Sequence, residues 1–367
     1  DRIPQALAVR ISLDLFSHFE AKSSKRLGIP KGIVLGGVLA LMASMPAVGQ
    51  TTNAVNTAQL ISQINAANLD ISSGTIHLEQ GTTYTLGANL PIVTGTDIGG
   101  TLQIICTGTT NAVIDGASGF RPITMDPNSN LTLTNITLQN GFVANGKGGA
   151  IYNNQGDLTI SNSIITTSEV TGTNPNGRGA GIYSTGSAGS ASVLIQNSTI
   201  SLNSAAANGG GIYNNDTSSL TITSSSISGN TSGNQGGGIY NINNSPLTIS
   251  SSSISGNTAN ISGGGIYNIS SNNLNISNSS LSGKNAAVHG GAIYDKYGSL
   301  MLTSSTLSNN TASNGRGGAI FNRRNAITLL TTAITDNQAL GTSPNGRGGA
   351  IYATGNGGTA SILMQNS

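Results

Sequence analysis

Apolar and polar residues alternate in short runs through most of this chain, and the runs return at a nearly constant distance. In the clearest unit, Ile239-Tyr240-Asn241 is followed by Leu247-Thr248-Ile249-Ser250 and then by Ser253-Ile254-Ser255, with Gly, Asn and Ser clusters between them. Alternation with period two marks half-buried strands, and the clusters mark turns. Gly-Ile-Tyr and its near copies recur with Ile at 151, 182, 212, 239, 266, 293, 320 and 351, at spacings of 31, 30, 27, 27, 27, 27 and 31 residues. A repeat of this length is a supersecondary unit that buries its apolar side by stacking on its neighbours. No i, i+3, i+4 periodicity runs through the repeats, which argues against helical solenoids, and the LxxLxLxxN frame of a leucine-rich horseshoe is missing. The pattern predicts an all-β parallel β-helix over 75–367, of about ten coils with three strands and three turns in each.

Coils stacked at the usual inter-strand spacing of about 4.8 Å place equivalent residues in ladders. Ile151 through Ile351 form one inward stack. Leu158/Ile160, Leu220/Ile222, Leu247/Ile249, Leu274/Ile276 and Ile327/Leu329 form a second. Ile200, Ile227, Ile254, Leu281, Leu307 and Ile334 form a third. Three residues after members of this third stack come Asn203, Asn230, Asn257, Asn310 and Asn337, expected at a turn in αL geometry with amides bonded from coil to coil. Lys284 stands where the next Asn belongs, with Asn285 one place later.

Before the repeats the pattern changes. Leu60, Ile61, Ile64 and Ala67 fall on one helical face, with Asn56 or Thr57 as N-cap, so 50–74 is expected to plug the first coil. Irregular strands are expected at Thr75–Leu78, Tyr84–Leu86, Leu102–Cys106, Ala112–Ile114 and Leu131–Leu138. Further upstream, Lys22, Lys25, Arg26 and Lys31 precede the apolar run Ile33–Met45, and Ala47-Val48-Gly49 supplies small residues. This reads as a secretory signal with cleavage after Gly49; the competing reading, a membrane anchor, suffers from a run short of the ~20 residues a span needs. The segment 1–30 starts at Asp1, and the first Met is Met42, so 1–49 is left out of the fold. At the other end Ala360–Ser367 reads ASILMQNS and stops where the similar Ala191–Ser198 continues into another strand. No cap for the open edge is recognisable there, so further protein is expected after Ser367.

Charge is sparse: 8% of residues, against 36% hydrophobic, with 51 glycines and no Trp. After residue 49 there are nine Lys/Arg and ten acids. Glycoside hydrolysis needs a carboxylate pair and calcium-dependent lyases need several carboxylates. Asp157, Asp216 and Asp295 lie at +6, +4 and +2 from their repeat Ile, in coils that are not consecutive. Asp115 and Asp126 are the nearest acids in sequence, and Asp115-Gly116 reads as a turn. No metal motif, phosphate loop or nucleic-acid patch is recognisable, so no cofactor and no nucleic acid is expected. Cys106 is the only cysteine, which rules out an intrachain disulfide and reads as a buried small hydrophobe.

Two outward-facing features remain. The residue before each Gly pair runs Lys147, Arg178, Asn208, Gln235, Ser262, His289, Arg316, Arg347, which groups cations on adjacent coils at each end of the array. Lys147, Arg178, His289, Arg316 and Arg347 are therefore the candidate residues for an anionic polysaccharide or a lipopolysaccharide phosphate, set against the plainer reading of a solvated turn. Beside them runs an aromatic file, Tyr152, Tyr183, Tyr213, Tyr240, Tyr267, Tyr294, Phe321 and Tyr352. It is expected as a structural ladder, with sugar stacking as the alternative.

GGAI at 148–151, 290–293, 317–320 and 348–351, with a hydrophobic-x-x-Asn upstream (Ile227 to Asn230, Leu307 to Asn310), resembles the repeat of polymorphic outer membrane proteins. That family has FxxN where Ile or Leu stands here, so the broader similarity is to bacterial right-handed β-helix repeat proteins of the pectin-lyase-like superfamily. The resemblance spans roughly 55–367 and implies a right-handed coil. It also implies an exported protein at a bacterial surface or outer membrane. Catalytic motifs of the superfamily's lyases and hydrolases find no matching positions. The expectation is a non-catalytic surface or secreted β-helix acting in adhesion or display, with cell-surface glycans as partners; the alternative is an extracellular polysaccharide lyase or glycoside hydrolase.

Overall fold

The computed structural model describes residues 51–69, 73–94, 100–186, 191–342, 346–355 and 361–367. The expected segment 1–49 lies outside the described residues, as do Asp70 and Asp97. From residue 51 onward the chain is a right-handed parallel β-solenoid of about eleven turns. Its strands fall into four sheets, called here A, B, C and D, with twelve, ten, nine and eight strands. Every pairing within them is parallel and joins one coil to the next.

One coil shows how the sequence makes the turns. Ile212–Asn215 lies in sheet C, Ser219–Thr223 in A, Ser226–Ser228 in B and Thr231–Ser232 in D. A coil thus has four strands and not three. The fourth has only two residues, too short for an alternation to be legible in sequence. Sheets A and B meet at a single left-handed residue, such as Ser224 (φ 49) or Ser251 (φ 50). The predicted run Leu131–Leu138 is divided in the same way: Asn135 (φ 55) separates Asn130–Thr134 in A from Ile136–Gln139 in B. Entry into sheet C needs glycine. Gly236 has φ 66, and a Cβ there would stand 2.5 Å from the Ile239 carbonyl oxygen.

The apolar ladders are in register as the repeat requires. Ile151, Ile182, Ile212, Ile239, Ile266, Ile293, Ile320 and Ile351 pair in succession along sheet C. Leu247/Ile249 stand between Leu220/Ile222 and Leu274/Ile276 in sheet A, and Ile254 stands between Ile227 and Leu281 in sheet B. All but Ile351, which is partly buried and packs against it, belong to one continuous buried core, which Cys106 also joins. Thr57–Ala67 forms the expected helix, α1: Asn56 caps it by accepting from the Gln59 amide at 2.9 Å, and Leu60 and Ile64 enter the core. Thr51–Ala54, whose sequence shows no alternation, adds an outer strand to sheet A beside Gly74–Leu78. Ile123–Met125, also not legible beforehand, lays Ile123 under Ile151 at the foot of the isoleucine stack.

Polar ladders run inside the coil as well. Asn203 donates its amide to Asn230 at 2.9 Å, Asn230 to Asn257 at 3.0 Å, and Asn310 to Asn337 at 2.8 Å. The asparagines themselves are not in αL geometry. That conformation belongs to the residue before them, as at Leu202, Gly229, Gly256, Asn309 and Asp336. A second amide ladder follows the isoleucines two residues on, from Asn214 to Asn241 to Asn268, each bond 2.8 Å. A third consists of serines at the A to B turn: the Ser198 amide donates to Ser225, Ser225 to Ser252 and Ser252 to Ser279, all at 3.1 Å.

Two residues of consecutive coils break the amide ladders. Lys284 fills the place of the missing asparagine and is 0% exposed, and no group accepts from its Nζ. Its stem lies over Gly265, where a Cβ would meet Lys284 Cδ at 2.3 Å. A lysine offers Asn257 no oxygen, so the run of donations that reaches Asn257 stops there. Asp295 takes the other ladder's place. It accepts from Asn268 at 2.7 Å and from Asn322 at 3.1 Å, which reverses the direction of donation.

Burial pushes the Lys284 pKa well below that of a free lysine, and burial raises that of Asp295 to about 7. The two act in opposite directions. For Lys284 the unfolded chain binds the proton more tightly, so the stability present above pH 10.5, its unperturbed value, is lost as pH falls toward the folded pKa. For Asp295 the folded chain binds it more tightly, so the stability present below pH 3.8 is lost as pH rises through about 7. Lys284→Asn is predicted to raise the urea midpoint at pH 7, by on the order of 1–3 kcal/mol in stability, by restoring an acceptor and removing an unpaired buried amine. An unchanged or lower midpoint would show that the lysine is no flaw. Asp295→Asn is predicted to remove the loss of stability that this carboxyl causes between about pH 4 and pH 7, so that over this range the variant's urea midpoint falls less, or rises more, than the native protein's; an identical pH dependence in the two would rule out Asp295 as a source.

Candidate functional site

Outward-facing residues of sheet C follow the isoleucine stack by one position. They form the file of Tyr152, Tyr183, Tyr213, Tyr240, Tyr267, Tyr294, Phe321 and Tyr352, with ring centroids 4.5–5.4 Å apart and ring planes within 16° of parallel. Tyr183 through Phe321 are at most 8% exposed. Rings so covered are a structural ladder and offer no open face to a sugar. Burial raises the phenol pKa of Tyr183, Tyr213, Tyr240 and Tyr267, so these four rings are uncharged.

The cover over the rings is the candidate basic track. Lys147 Nζ lies 5.0 Å from the Tyr183 ring, Arg178 Cζ 5.0 Å from Tyr213 and Arg316 Cζ 5.0 Å from Tyr352. His289 stacks on Phe321 at 4.4 Å. Each cation or imidazole thus rests on the ring one coil further along, and the two features that sequence presents separately are one layer. Arg316 also donates to the Tyr352 hydroxyl at 3.1 Å. Burial, and then the Arg316 charge, push the His289 pKa down, and His289 Nδ1 accepts from the Arg316 amide at 3.2 Å. Arg347 stands exposed. Arg121, not singled out in the sequence, extends the layer backward: its Cζ is 5.2 Å from the Tyr152 ring, and it donates to the Gly148 and Lys147 carbonyls. The repeat is irregular at that coil, which hid it.

The acids are engaged locally. Asp115 accepts from the Ala117 amide, Gln139 and Asn140, and despite partial burial these bonds hold its pKa below the usual range. It ends a strand of sheet B, whereas Asp126 follows Ile123–Met125 of sheet C. Asp157 accepts from Ser192 at 2.6 Å, and Asp216 accepts from Asn243 at 2.9 Å. Among the described residues no three of His, Cys, Asp and Glu converge as metal ligands.

A different cluster lies at the turn from sheet C to sheet A, three and four residues after the isoleucine. In two consecutive coils these positions hold Lys296-Tyr297 and Arg323-Arg324. Lys296 Nζ is 4.4 Å and Arg324 Cζ 5.7 Å from the Tyr297 ring, which is 40% exposed. The corresponding turns of earlier coils hold Thr185-Gly186, Asn215-Asp216, Ile242-Asn243 and Ile269-Ser270, so neither pair is part of the repeat. Only the superposition of consecutive coils reveals it, a signal that a search for repeated residues passes over.

Residues 224–242 and 304–323 match the Chlamydia polymorphic membrane protein repeat. No curated protein and no solved structure is similar enough to match. Each matched stretch runs from the A to B turn, through the hydrophobic residue and Asn of the ladder, to the Gly turn and the sheet C isoleucine. Such a repeat points to a bacterial surface or outer-membrane protein. This chain is a parallel β-helix repeat protein with repeats similar to that of the Chlamydia polymorphic membrane proteins.

Proposed function

We propose that the protein is a non-catalytic β-helix of the bacterial surface that acts in adhesion or display. The observation that supports this reading most is the uniformity of the outward layer. From Tyr152 to Tyr352 each coil adds one ring to an unbroken stack, and long side chains cover it toward both ends, Arg121, Lys147 and Arg178 at one and His289 and Arg316 at the other, which makes a rigid face. A hydrolase or lyase of polysaccharides needs carboxylates brought together at one place, with room for substrate between them. Here Asp115, Asp157 and Asp216 are each held by neighbouring polar side chains of their own turn or sheet, and Asp295 is buried in a ladder. The partner class is a cell-surface glycan, met along the solenoid. The similarity to the polymorphic membrane protein repeat supports the location.

Beads carrying the full chain are predicted to retain glycan-bearing cells, while soluble protein left with acidic and neutral polysaccharides releases no new reducing or unsaturated ends. Ends that accumulate in proportion to protein would overturn the non-catalytic reading. Beads that retain no cells would overturn the adhesive one.

A further inference from the structure

The cluster at the C to A turn combines several observations that the repeat does not require. Lys296 and Arg324 lie over one exposed ring, Arg323 adjoins Arg324 in the chain, and no carboxylate among the described residues pairs with them. Asp295, the only acid in the two strands concerned, is buried on the inner side between Asn268 and Asn322. In sequence, neither 269–273 nor 354–360, the stretches that follow the sheet C strands of the adjoining repeats, contains a charged residue. A hydrogen bond from Lys296 foremost, and then the charges of Lys296, Arg324 and Arg323, hold the Tyr297 pKa below that of a free phenol.

Arg324 is held with effort. Its φ of 104 lies where side chains are rarely tolerated, and among the positive-φ residues outside glycine it departs furthest from the αL value. Its Nε is buried and has no partner. Both coils reach sheet A after seven residues (Ile293 to Leu300, Ile320 to Ile327), against eight in the three coils before them. The two coils that carry the cluster share this turn length, which also occurs from Ile151 to Leu158 with Asn154-Gln155 in place of the cations.

Like charges brought together on a strained turn repel, and an anion between them removes the repulsion. We infer that Lys296, Tyr297, Arg323 and Arg324 form a binding site for an acidic polysaccharide, receiving a carboxylate or sulfate between the cations with the tyrosine at its edge. Arginine supplies paired donors that fit the two oxygens of such a group, and the tyrosine hydroxyl adds a third donor. An exposed aromatic ring beside the anion site suits a sugar ring better than a bare ion. The site lies apart from Lys147, Arg178 and Arg316, whose heads rest on the ring file. The inference rests on the surface-binding reading and names the chemistry that it would recognise.

The test uses immobilised full-length protein with four probes: polygalacturonate for carboxylate, dextran sulfate for sulfate, neutral dextran, and phosphatidylglycerol vesicles. The native protein is expected to retain one or both acidic polymers, less so as salt rises. R323Q/R324G, in which glycine accepts the positive φ, is expected to melt as the native protein does and to bind about tenfold or more weakly, the loss of one charge-assisted contact or more. K296Q/Y297F is expected to weaken binding in the same direction. Native-like binding by both folded variants would overturn the site. Equal retention of neutral dextran would overturn the acidic preference while the surface-binding reading stands. Retention of vesicles without either polymer would overturn the inference in favour of a membrane surface. Retention of no polymer together with failure to hold cells would overturn both readings.

Discussion

The constraint on which the rest of the structure depends is the parallel hydrogen bonding of each coil to the next, in register, at one inter-strand spacing. It makes the nearest neighbour of almost every side chain the equivalent side chain of the adjoining repeat. A residue type that interacts well with itself is therefore favoured at every position. Isoleucine packs on isoleucine, an amide donates to an amide and accepts from another, a serine hydroxyl takes the amide of the serine before it, and aromatic rings stack offset. Charged groups fail this criterion, since two of one sign at 4.8 Å repel even in a surface dielectric. The low share of charged residues follows from the architecture as much as from any function.

Where charge does occur, it is separated from its like by some other device. In the outer layer each cation is carried over the ring of the next coil, so the quadrupole of the ring and not another ammonium meets it. His289 meets the same need by stacking on Phe321 with a depressed pKa. Acids on the surface are held by neutral donors, as Asp115 is by Gln139 and Asn140. At the turn with Lys296, Arg323 and Arg324 two cations share a single exposed ring, Tyr297, which sets it apart physically from the other turns.

The stacks of sheets A, B and C could be read from the sequence because inward residues are spaced two apart and their repeats 27 apart, so both periods show. The helix could be read from Leu60, Ile61, Ile64 and Ala67. Sheet D could not: two residues such as Thr231-Ser232 have no period, and their pairing exists only because flanking turns hold them in line. The asparagine ladder was legible as a repeat, but its left-handed residue was misplaced by one, since glycine at 229 and 256 hides a position that Leu202 and Asn309 share. The coverage of the rings was illegible for a different reason. Lys147 and Tyr183 are 36 residues apart, more than a full repeat, and the contact is a consequence of where the turn puts a long side chain.

Solenoid stability is close to a sum of coil terms and nearest-neighbour interfaces, so a flaw is felt locally and is not averaged over the molecule. Lys284 and Asp295 are such flaws, and both belong to the same passage of chain, eleven residues apart, in two different ladders. On either side the ladders are intact, from Asn203 to Asn257 before it and from Asn310 to Asn337 after it. The stretch 281–297 therefore combines an unpaired buried amine, a buried carboxyl with a raised pKa and, at its end, half of the cationic turn. Opening of the solenoid under acid or alkali should begin there, because each extreme charges one of the two buried groups while leaving the neutral ladders of every other coil unaffected.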